Sequence, residues 1–286
     1  MSPVRQADSA NMRGILFDLD GVLYNSETPI EGASFTVDWF RRNRIPHLFV
    51  TNTTSRGRAE LVEKLERFGM HADLDQILTP CIAAAKYLRA RPHGPAALFV
   101  NPRALGEFEG VECLPEDAQS GAHYIVIGDL GDGWSYGTLN RAFRLLLSNP
   151  DSVLIALGMT RYWRAQDGLR LDTAPFVVAL EHAAERKALV FGKPAEAFYR
   201  AAAERLDLPA SEIAMVGDGI ETDIDGAQQV GMKGILLRTG KFRPSDLNGG
   251  VTPDAVLNSI RDLPAWWMQQ ISAADRKVNP PAHPLS

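Results

Sequence analysis

The stretch "GILFDLDGVLY", residues 14–24, decides the fold that we predict. In it, Ile15, Leu16 and Phe17 form a short apolar run that leads directly into two aspartates, Asp18 and Asp20. An apolar run without polar alternation is typical of a strand buried on both faces of a parallel sheet. Because buried like charges repel each other, the aspartate pair predicts a bound positive group at the end of this strand.

Three further runs have the same form: residues 47–54 (HLFVTNTT), 212–219 (EIAMVGDG) and 233–240 (KGILLRTG). In the segments between these runs, apolar residues recur at helical spacing, as in 59–68. This alternation predicts an α/β fold with a doubly wound parallel sheet. Asp18, Thr51 and Asp218 each follow an apolar run, at the strand ends where such sheets bind ligands.

The middle of the chain forms a second α/β module, with its own predicted strands at 97–100, 124–129 and 153–158 and a helix at 136–147. We therefore expect a core made of residues 13–79 and 188–271, and an inserted domain at 80–187. Residues 1–12 and 275–286 are predicted to be flexible tails, and the second of these is rich in proline and polar residues.

Composition narrows the classes of function. The 286 residues include 30 basic and 35 acidic side chains. Because basic residues are not in excess, the charge balance does not favour nucleic acid or an anionic membrane as a partner. No apolar run approaches membrane-spanning length and the first residues lack a secretory h-region, so we expect a cytoplasmic protein. Cys81 and Cys113 form no CxxC or Cys/His cluster, which disfavours a zinc site.

The aspartate pair has the spacing that directs two carboxyl groups toward one ligand. In extended chain, residues i and i+2 point the same way, so Asp18 and Asp20 share a side. A carboxylate can attack phosphorus, and a second carboxyl can carry protons. Gly21 allows the chain to turn away sharply. A calcium loop needs further oxygen ligands, and the apolar residues 22–24 do not supply them.

Two segments carry candidate phosphate binders. In "VTNTTSRG", residues 50–57, Thr54 or Ser55 suffices to cap the following helix, which leaves Thr51 and Asn52 unexplained. Lys193 precedes a predicted helix. The positive end of the helix dipole disfavours a cation there, unless an anion is bound between the lysine and the helix N-terminus. The alternative for Lys193 is a solvated surface lysine.

The segment "GDGIETDIDGAQQVG", residues 217–231, supplies a second acidic pair, Asp218 and Asp223. Acidic residues in the first turn of a helix are commonly explained by the helix dipole, and this alternative applies to Asp223. Asp218 precedes the helix at the predicted sheet edge and fits that explanation less well. The segment has no GxGxxG pattern, which disfavours a dinucleotide site.

The ordered set of an aspartate pair, a threonine, a lysine and an acidic pair resembles the haloacid dehalogenase (HAD)-like phosphohydrolases. The resemblance implies that Asp18 is the nucleophile that forms an aspartyl phosphate and that Asp20 is the general acid and base. It implies that Thr51, Asn52 and Lys193 bind the phosphoryl oxygens.

The same resemblance implies a Mg²⁺ cofactor. Its ligands would be Asp18, the backbone oxygen of Asp20 and Asp218, with Asp223 supporting them. A hard divalent cation among these oxygens would explain why the carboxylates lie together.

The position of the insert resembles the class IIA cap of this family, and the stretches 158–176, 217–227 and 234–247 resemble one branch of it. Caps of this kind select substrates, and the candidate contacts are Asp129, Asp132, Arg161, Tyr162 and Arg164. Each of these is equally well explained as a residue of the cap surface. Relatives of this class often pair through the cap, so a homodimer through the cap is a further expectation.

These observations predict a Mg²⁺-dependent phosphatase that hydrolyses a small phosphorylated molecule. Asp20 favours this chemistry, because related ion-pumping ATPases carry threonine at that position. A phosphotransferase or mutase of the same mechanism, and a pyrophosphatase or phosphoamino-acid phosphatase, remain as alternatives. A non-catalytic phospho-ligand binder is disfavoured, because the chain keeps every catalytic residue type.

Overall fold

A computed structural model describes residues 12–165 and 168–278. The strands are β1 Gly14–Asp18, β2 Tyr24–Asn25, β3 Thr28–Pro29, β4 His47–Val50, β5 Ile77–Leu78, β6 Ala96–Phe99, β7 Tyr124–Ile127, β8 Val153–Ala156, β9 Tyr162–Ala165, β10 Gly168–Leu171, β11 Leu189–Val190, β12 Ile213–Gly217, β13 Lys233–Leu237 and β14 Ala255–Leu257. The α-helices are α1 Ala33–Arg42, α2 Arg58–Arg67, α3 Pro80–Arg89, α4 Tyr136–Ser148, α5 Thr173–Ala184, α6 Glu196–Leu206, α7 Gly226–Gln229 and α8 Leu263–Val278.

The chain divides into two compact units. Of the described residues, the first unit contains those up to Phe49, Phe68–His71 and those from Ala202 onward, and the second contains those in Val50–Arg67 and Ala72–Ala201. The predicted α/β class with parallel sheets is confirmed. The predicted insert, 80–187, lies within the second unit, but its two boundaries stay predictions.

The first unit is built on a sheet in which strands follow the order β14, β13, β12, β1, β4. The pairs β1–β12, β12–β13 and β13–β14 are parallel. The register aligns Phe17 with Val216 and Gly217 with Leu236. The residues that follow β1, β12 and β13 therefore leave the sheet at one edge.

Strand β1 is buried at every position, as the unbroken apolar run predicts. Phe17 packs edge-on against Phe40 of α1, with 5.3 Å between the ring centroids, and stacks with Phe49 of β4 at 6.0 Å. Trp267 of α8 packs against Phe40 at 5.1 Å. Truncation of one such aromatic residue costs about 3–5 kcal/mol of stability, so this cluster anchors the strand that carries Asp18.

The second unit has its own parallel sheet, with strands in the order β11, β8, β7, β6. Helices α4 and α5 pack against each other and cover an apolar cluster that includes Phe99, Leu145 and Val177. Both helices begin at a capping side chain: Ser135 accepts from Thr138 N at 3.1 Å, and Asp172 accepts from Thr173 N at 2.7 Å. Strands β9 and β10 form an antiparallel hairpin.

Polar contacts explain why residues before 80 belong to the second unit. At the start of α2, the backbone amide and the Nε of Arg58 donate to the two carboxylate oxygens of Glu107, at 2.7 and 2.6 Å. Arg58 Nη1 also donates to Leu74 O. Glu107 is buried in a 3₁₀ segment, Pro102–Phe108, so the ion pair is well shielded from water.

Helix α8 continues to Val278 and therefore includes residues 275–278 of the segment that we predicted to be a tail. The rest of that tail, and residues 1–11 of the N-terminal one, lie outside the described residues. Within the described part of the chain, no helix combines the length and the apolar character needed to cross a membrane.

A buried histidine predicts a pH dependence of stability. His47 lies in β4 against Phe17 and Phe49, and burial lowers its pKa from the usual 6.5, against the opposing effect of its hydrogen bond to Ile45 O. As the pH falls below 6.5, the unfolded chain binds a proton before the folded one, so the free energy of unfolding decreases. Each unit of pKa difference corresponds to about 1.4 kcal/mol.

We expect His47→Gln to have a shallower loss of unfolding free energy between pH 6.5 and 5 than the wild-type protein, measured by urea denaturation. His182→Gln, at an exposed position of α5, is the matched control and should follow the wild-type curve. Parallel curves for wild type and His47→Gln would contradict the prediction.

Candidate active site

Three carboxylates meet at the edge of the first unit's sheet and form what we call the acidic cluster: Asp18, Asp218 and Asp223. One carboxylate oxygen from each lies within 4.8 Å of the others. The three side chains belong to residues that are 6%, 1% and 1% exposed. Like charges at this spacing and burial repel strongly, so the cluster is suited to a cation.

Parallel pairing explains how two of these residues meet. Asp18 ends β1 and Asp218 follows β12, and the register of these strands places them at nearly the same level. Asp223 lies in a π-helical segment, Ile220–Asp225, that begins just beyond β12. A Cβ atom at Gly217 would lie 2.2 Å from that of Asp223, so only glycine allows this approach.

Each member of the acidic cluster accepts a hydrogen bond from a backbone amide. Leu19 N donates to Asp18 Oδ1 at 2.8 Å, and Gly219 N donates to Asp223 Oδ2 at 2.9 Å. Lys241 N donates to Asp218 Oδ2 at 2.6 Å. These amides orient the carboxylates but carry no net charge. Asp223 lies in the first turn of its π-helical segment, as the helix-dipole explanation expects, and it is also buried within the acidic cluster.

Asp20 lies in a different environment from Asp18. Its side chain is exposed, and its Oδ1 accepts from Ser26 N at 3.0 Å. Ser26 lies in the turn between β2 and β3, so this short hairpin holds the Asp20 carboxylate. An exposed carboxyl can exchange protons with solvent, which a proton carrier must do.

In the second unit, the predicted phosphate-binding segment is held by its own polar side chains. Thr51 Oγ1 accepts from Thr53 N at 3.1 Å, and Thr51 N donates to Leu78 O. Thr54 Oγ1 accepts from Asp129 N at 3.1 Å, so Thr54 holds the loop that follows β7, and α2 begins only at Arg58. Thr51 and Thr54 are both buried.

Asn52 and Lys193 lie together in the second unit. Asn52 Oδ1 accepts from Lys193 N at 2.7 Å, and Asn52 Nδ2 donates to Lys193 O at 2.9 Å. The carboxamide thus pairs with both polar groups of one backbone residue. Lys193 is only 4% exposed, so its interpretation as a solvated surface lysine is wrong.

The cap candidates are less clearly organised. Asp129 Oδ1 accepts from Gly131 N at 3.0 Å. The distance between Asp132 Oδ1 and Arg170 Nη1 of β10 is 3.6 Å. Arg161 and Tyr162 are exposed at the start of the β9–β10 hairpin. Arg164 lies in β9 and pairs with Leu169 of β10.

The acidic cluster fits a magnesium ion by the chemistry of its donors. Mg²⁺ binds oxygen ligands, usually one or two carboxylates together with water and substrate oxygens. Asp18, Asp218 and Asp223 are the one group of acidic, histidine or cysteine residues that is placed to share an ion in the described part of the chain.

Sequence reasoning missed the residues after β13, which contact the acidic cluster. The Lys241 amide makes this contact, and Thr239 Oγ1 donates to Gly21 O, in the turn after Asp20, at 2.6 Å. The run 233–240 ends at the same sheet edge as β12, so its position after a strand was the available signal.

Comparisons with known proteins agree with this geometry. The chain matches a haloacid dehalogenase-like hydrolase profile over residues 15–112 and a HAD-hydrolase-like profile over residues 190–263. It is 37% identical over 241 residues to the phospholysine phosphohistidine inorganic pyrophosphate phosphatase of Homo sapiens, which covers 83% of this chain and 87% of that protein. It is also 37% identical over 235 residues to the haloacid dehalogenase-like hydrolase domain-containing protein 2 of Mus musculus, with coverages of 82% and 87%.

Among solved structures, the p-nitrophenyl phosphatase from Archaeoglobus fulgidus aligns with a TM-score of 0.81 at 29% identity. The alignment covers 89% of this chain and 98% of that one. The resemblance that the motifs predicted is therefore confirmed. Identity of this extent over most of the chain, together with the two profile matches, shows that the protein belongs to the haloacid dehalogenase-like hydrolase family and is a phosphatase of that family.

Proposed function

We propose that the protein is a Mg²⁺-dependent phosphatase that hydrolyses small phosphorylated molecules through an aspartyl phosphate on Asp18. The proposal rests above all on the acidic cluster, in which three buried carboxylates lie within 4.8 Å at the end of the central strand. Such a cluster combines a carboxylate nucleophile with ligands for a cation in one place.

In the first half-reaction, an oxygen of the Asp18 carboxylate attacks phosphorus and forms an acyl phosphate. The bond from phosphorus to the leaving oxygen breaks, and Asp20 donates a proton to that oxygen. The product alcohol leaves, and Asp20 is then a carboxylate. Its exposure and its hydrogen bond to Ser26 N are consistent with this role.

In the second half-reaction, Asp20 accepts a proton from a water molecule, whose oxygen attacks the phosphorus of the acyl phosphate. The bond between phosphorus and the Asp18 oxygen breaks, which regenerates the Asp18 carboxylate and releases inorganic phosphate. The general acid of the first step is thus the general base of the second.

Asp18, the backbone oxygen of Asp20 and Asp218 would hold Mg²⁺, with Asp223 as a supporting residue. The bound ion supplies positive charge that reduces repulsion between the Asp18 carboxylate and an anionic substrate. Thr51, Asn52 and Lys193 bind the phosphoryl oxygens, and the pairing of Asn52 with the Lys193 backbone adds a positioning role for Asn52.

The substrate class is proposed from the names of the relatives. These name phospholysine, phosphohistidine and inorganic pyrophosphate in one case and p-nitrophenyl phosphate in another. We therefore propose aryl phosphates, phosphoramidates and pyrophosphate as the first compounds to assay. Cap contacts by Asp129, Asp132, Arg161, Tyr162 and Arg164, the homodimer through the cap and the cytoplasmic location stay predictions.

Removal of the nucleophile tests the covalent route. We expect Asp18→Asn to lower kcat/KM for p-nitrophenyl phosphate by at least about 10⁴-fold, because an amide cannot form the acyl phosphate. Mass spectrometry after acid quenching should find a phosphoryl group on Asp18 of the wild-type protein. Asp151→Asn, at an exposed turn, is the matched control.

Normal turnover by a folded Asp18→Asn protein would exclude this mechanism. The phosphotransferase alternative differs in its product: with an added alcohol as acceptor, a transferase forms the new phosphate ester in preference to inorganic phosphate.

Asp20 should matter most for poor leaving groups. An alkoxide needs a proton as it departs, whereas p-nitrophenolate is stable without one. We expect Asp20→Asn to lower kcat/KM for an alkyl phosphate by about 10²–10⁴-fold and to leave kcat/KM for p-nitrophenyl phosphate much less affected. Equal losses with both substrates would argue against proton donation by Asp20.

A double-mutant cycle tests whether Asn52 acts through Lys193. We expect Asn52→Ala to lower kcat/KM about tenfold in the wild-type background and less than about twofold in a Lys193→Ala background, because the ammonium group that Asn52 positions through the Lys193 backbone is then absent. Asn248→Ala, at an exposed position, controls for a general effect. Multiplicative losses would show that Asn52 contributes independently of Lys193.

A further inference from the structure

The segment Thr239–Lys241 follows β13 and has no role in the proposed reaction. The chain leaves β13 next to β12, since Gly217 of β12 pairs with Leu236. It then turns, with Phe242 N donating to Thr239 O at 3.1 Å and Gly240 in the left-handed region at φ +57°. This turn brings the Lys241 amide to the Asp218 carboxylate.

The turn lies so close to the Asp218 carboxylate that a side chain at position 240 would collide with it. Lys241 N donates to Asp218 Oδ2 at 2.6 Å. A Cβ atom built on Gly240 would lie 2.0 Å from the same oxygen, which is far inside the van der Waals distance. Only glycine at position 240 therefore lets the turn approach this carboxylate.

Gly21, which lies far from Gly240 in the sequence, packs against the same oxygen of Asp218. Its φ is +90°, and a Cβ on it would also lie 2.0 Å from Asp218 Oδ2. A Cβ on Gly240 would lie 2.5 Å from the Gly21 Cα, so the two glycines are packed directly together. Two segments distant in sequence thus contact one oxygen of one carboxylate.

Thr239 joins these two segments. Its hydroxyl donates to Gly21 O at 2.6 Å, and Gly21 N in turn donates to Tyr24 O at 2.7 Å. The turn after β13 is thereby tied to the turn that carries Asp20. Because a carboxylate is planar, fixing Oδ2 of Asp218 also fixes the direction of its Oδ1.

We propose that Thr239, Gly240 and the Lys241 amide form a positioning clamp for the Asp218 carboxylate and so set the affinity of the acidic cluster for its cation. The inference rests on the proposed function, since it assumes that Asp218 is a ligand of Mg²⁺. Thr239 is a positioning residue here, because its hydroxyl acts through the Gly21 carbonyl and does not touch the ion. Partners that orient a metal ligand typically change metal affinity by about 10–100-fold when removed.

Isothermal titration of metal-free protein with Mg²⁺ tests the clamp without any substrate. We expect Thr239→Val, which keeps the shape but loses the donor, to weaken Mg²⁺ affinity about tenfold. Thr239→Ser keeps the donor and should restore the wild-type affinity to within about threefold. Thr252→Val, at an exposed position, is the matched control and should bind as the wild type does.

A second variant and a second measurement distinguish weaker Mg²⁺ binding from misfolding of the variant protein. Gly240→Ala should weaken Mg²⁺ binding more than Thr239→Val, because its Cβ displaces Asp218 Oδ2. The rise in melting temperature on addition of Mg²⁺ should shrink in the same order, since stabilisation of the folded state by a ligand increases with the logarithm of its affinity. Melting temperatures in EDTA show whether each variant is folded.

The outcomes separate the two hypotheses. If wild type binds no Mg²⁺, or Asp218→Asn binds it as well as the wild type, the proposed metal centre is wrong and the clamp falls with it. If Asp218→Asn loses binding but folded Thr239→Val and Thr239→Ser both bind like the wild type, only the clamp is wrong.

Discussion

Mutual repulsion among Asp18, Asp218 and Asp223 is the constraint on which this structure depends. Three buried carboxylates with oxygens within 4.8 Å raise the energy of the folded state unless their charge is compensated. Backbone amides supply part of the compensation, one to each carboxylate. Amides orient and solvate, but they leave the negative charge in place, which is the reason we propose a cation at this cluster.

The environment separates the two aspartates of the first motif. Asp18 is buried against a backbone amide at the end of β1, whereas Asp20 is exposed and held by Ser26 of the following hairpin. A buried oriented carboxylate suits a nucleophile, and an exposed one suits proton exchange with water. Pairs of carboxyl groups with different surroundings commonly divide their roles in this way.

In the second unit, the residues predicted to bind phosphate make hydrogen bonds to the backbone. Asn52 pairs with the backbone of Lys193, and Thr54 holds the amide of Asp129. A carboxamide presents a donor and an acceptor side by side, which matches the N–H and C=O of one residue. These contacts restrict the motion of segments that are far apart in sequence, and such restriction preserves binding geometry.

The sequence by itself determined the buried strand β1 and the parallel α/β class, and its resemblance to the haloacid dehalogenase-like phosphohydrolases indicated Asp18, Asp218 and Asp223 as a group. Local patterns suffice for this, because apolar runs and the polar residues that follow them lie within a few positions of each other. Only the tertiary structure decided that Asn52 binds the Lys193 backbone, that Asp20 is exposed while Asp18 is buried, and that the turn at Gly240 packs on Asp218. These contacts depend on strand register and on the turns after β1 and β13, and neither is encoded in any single short stretch of the chain.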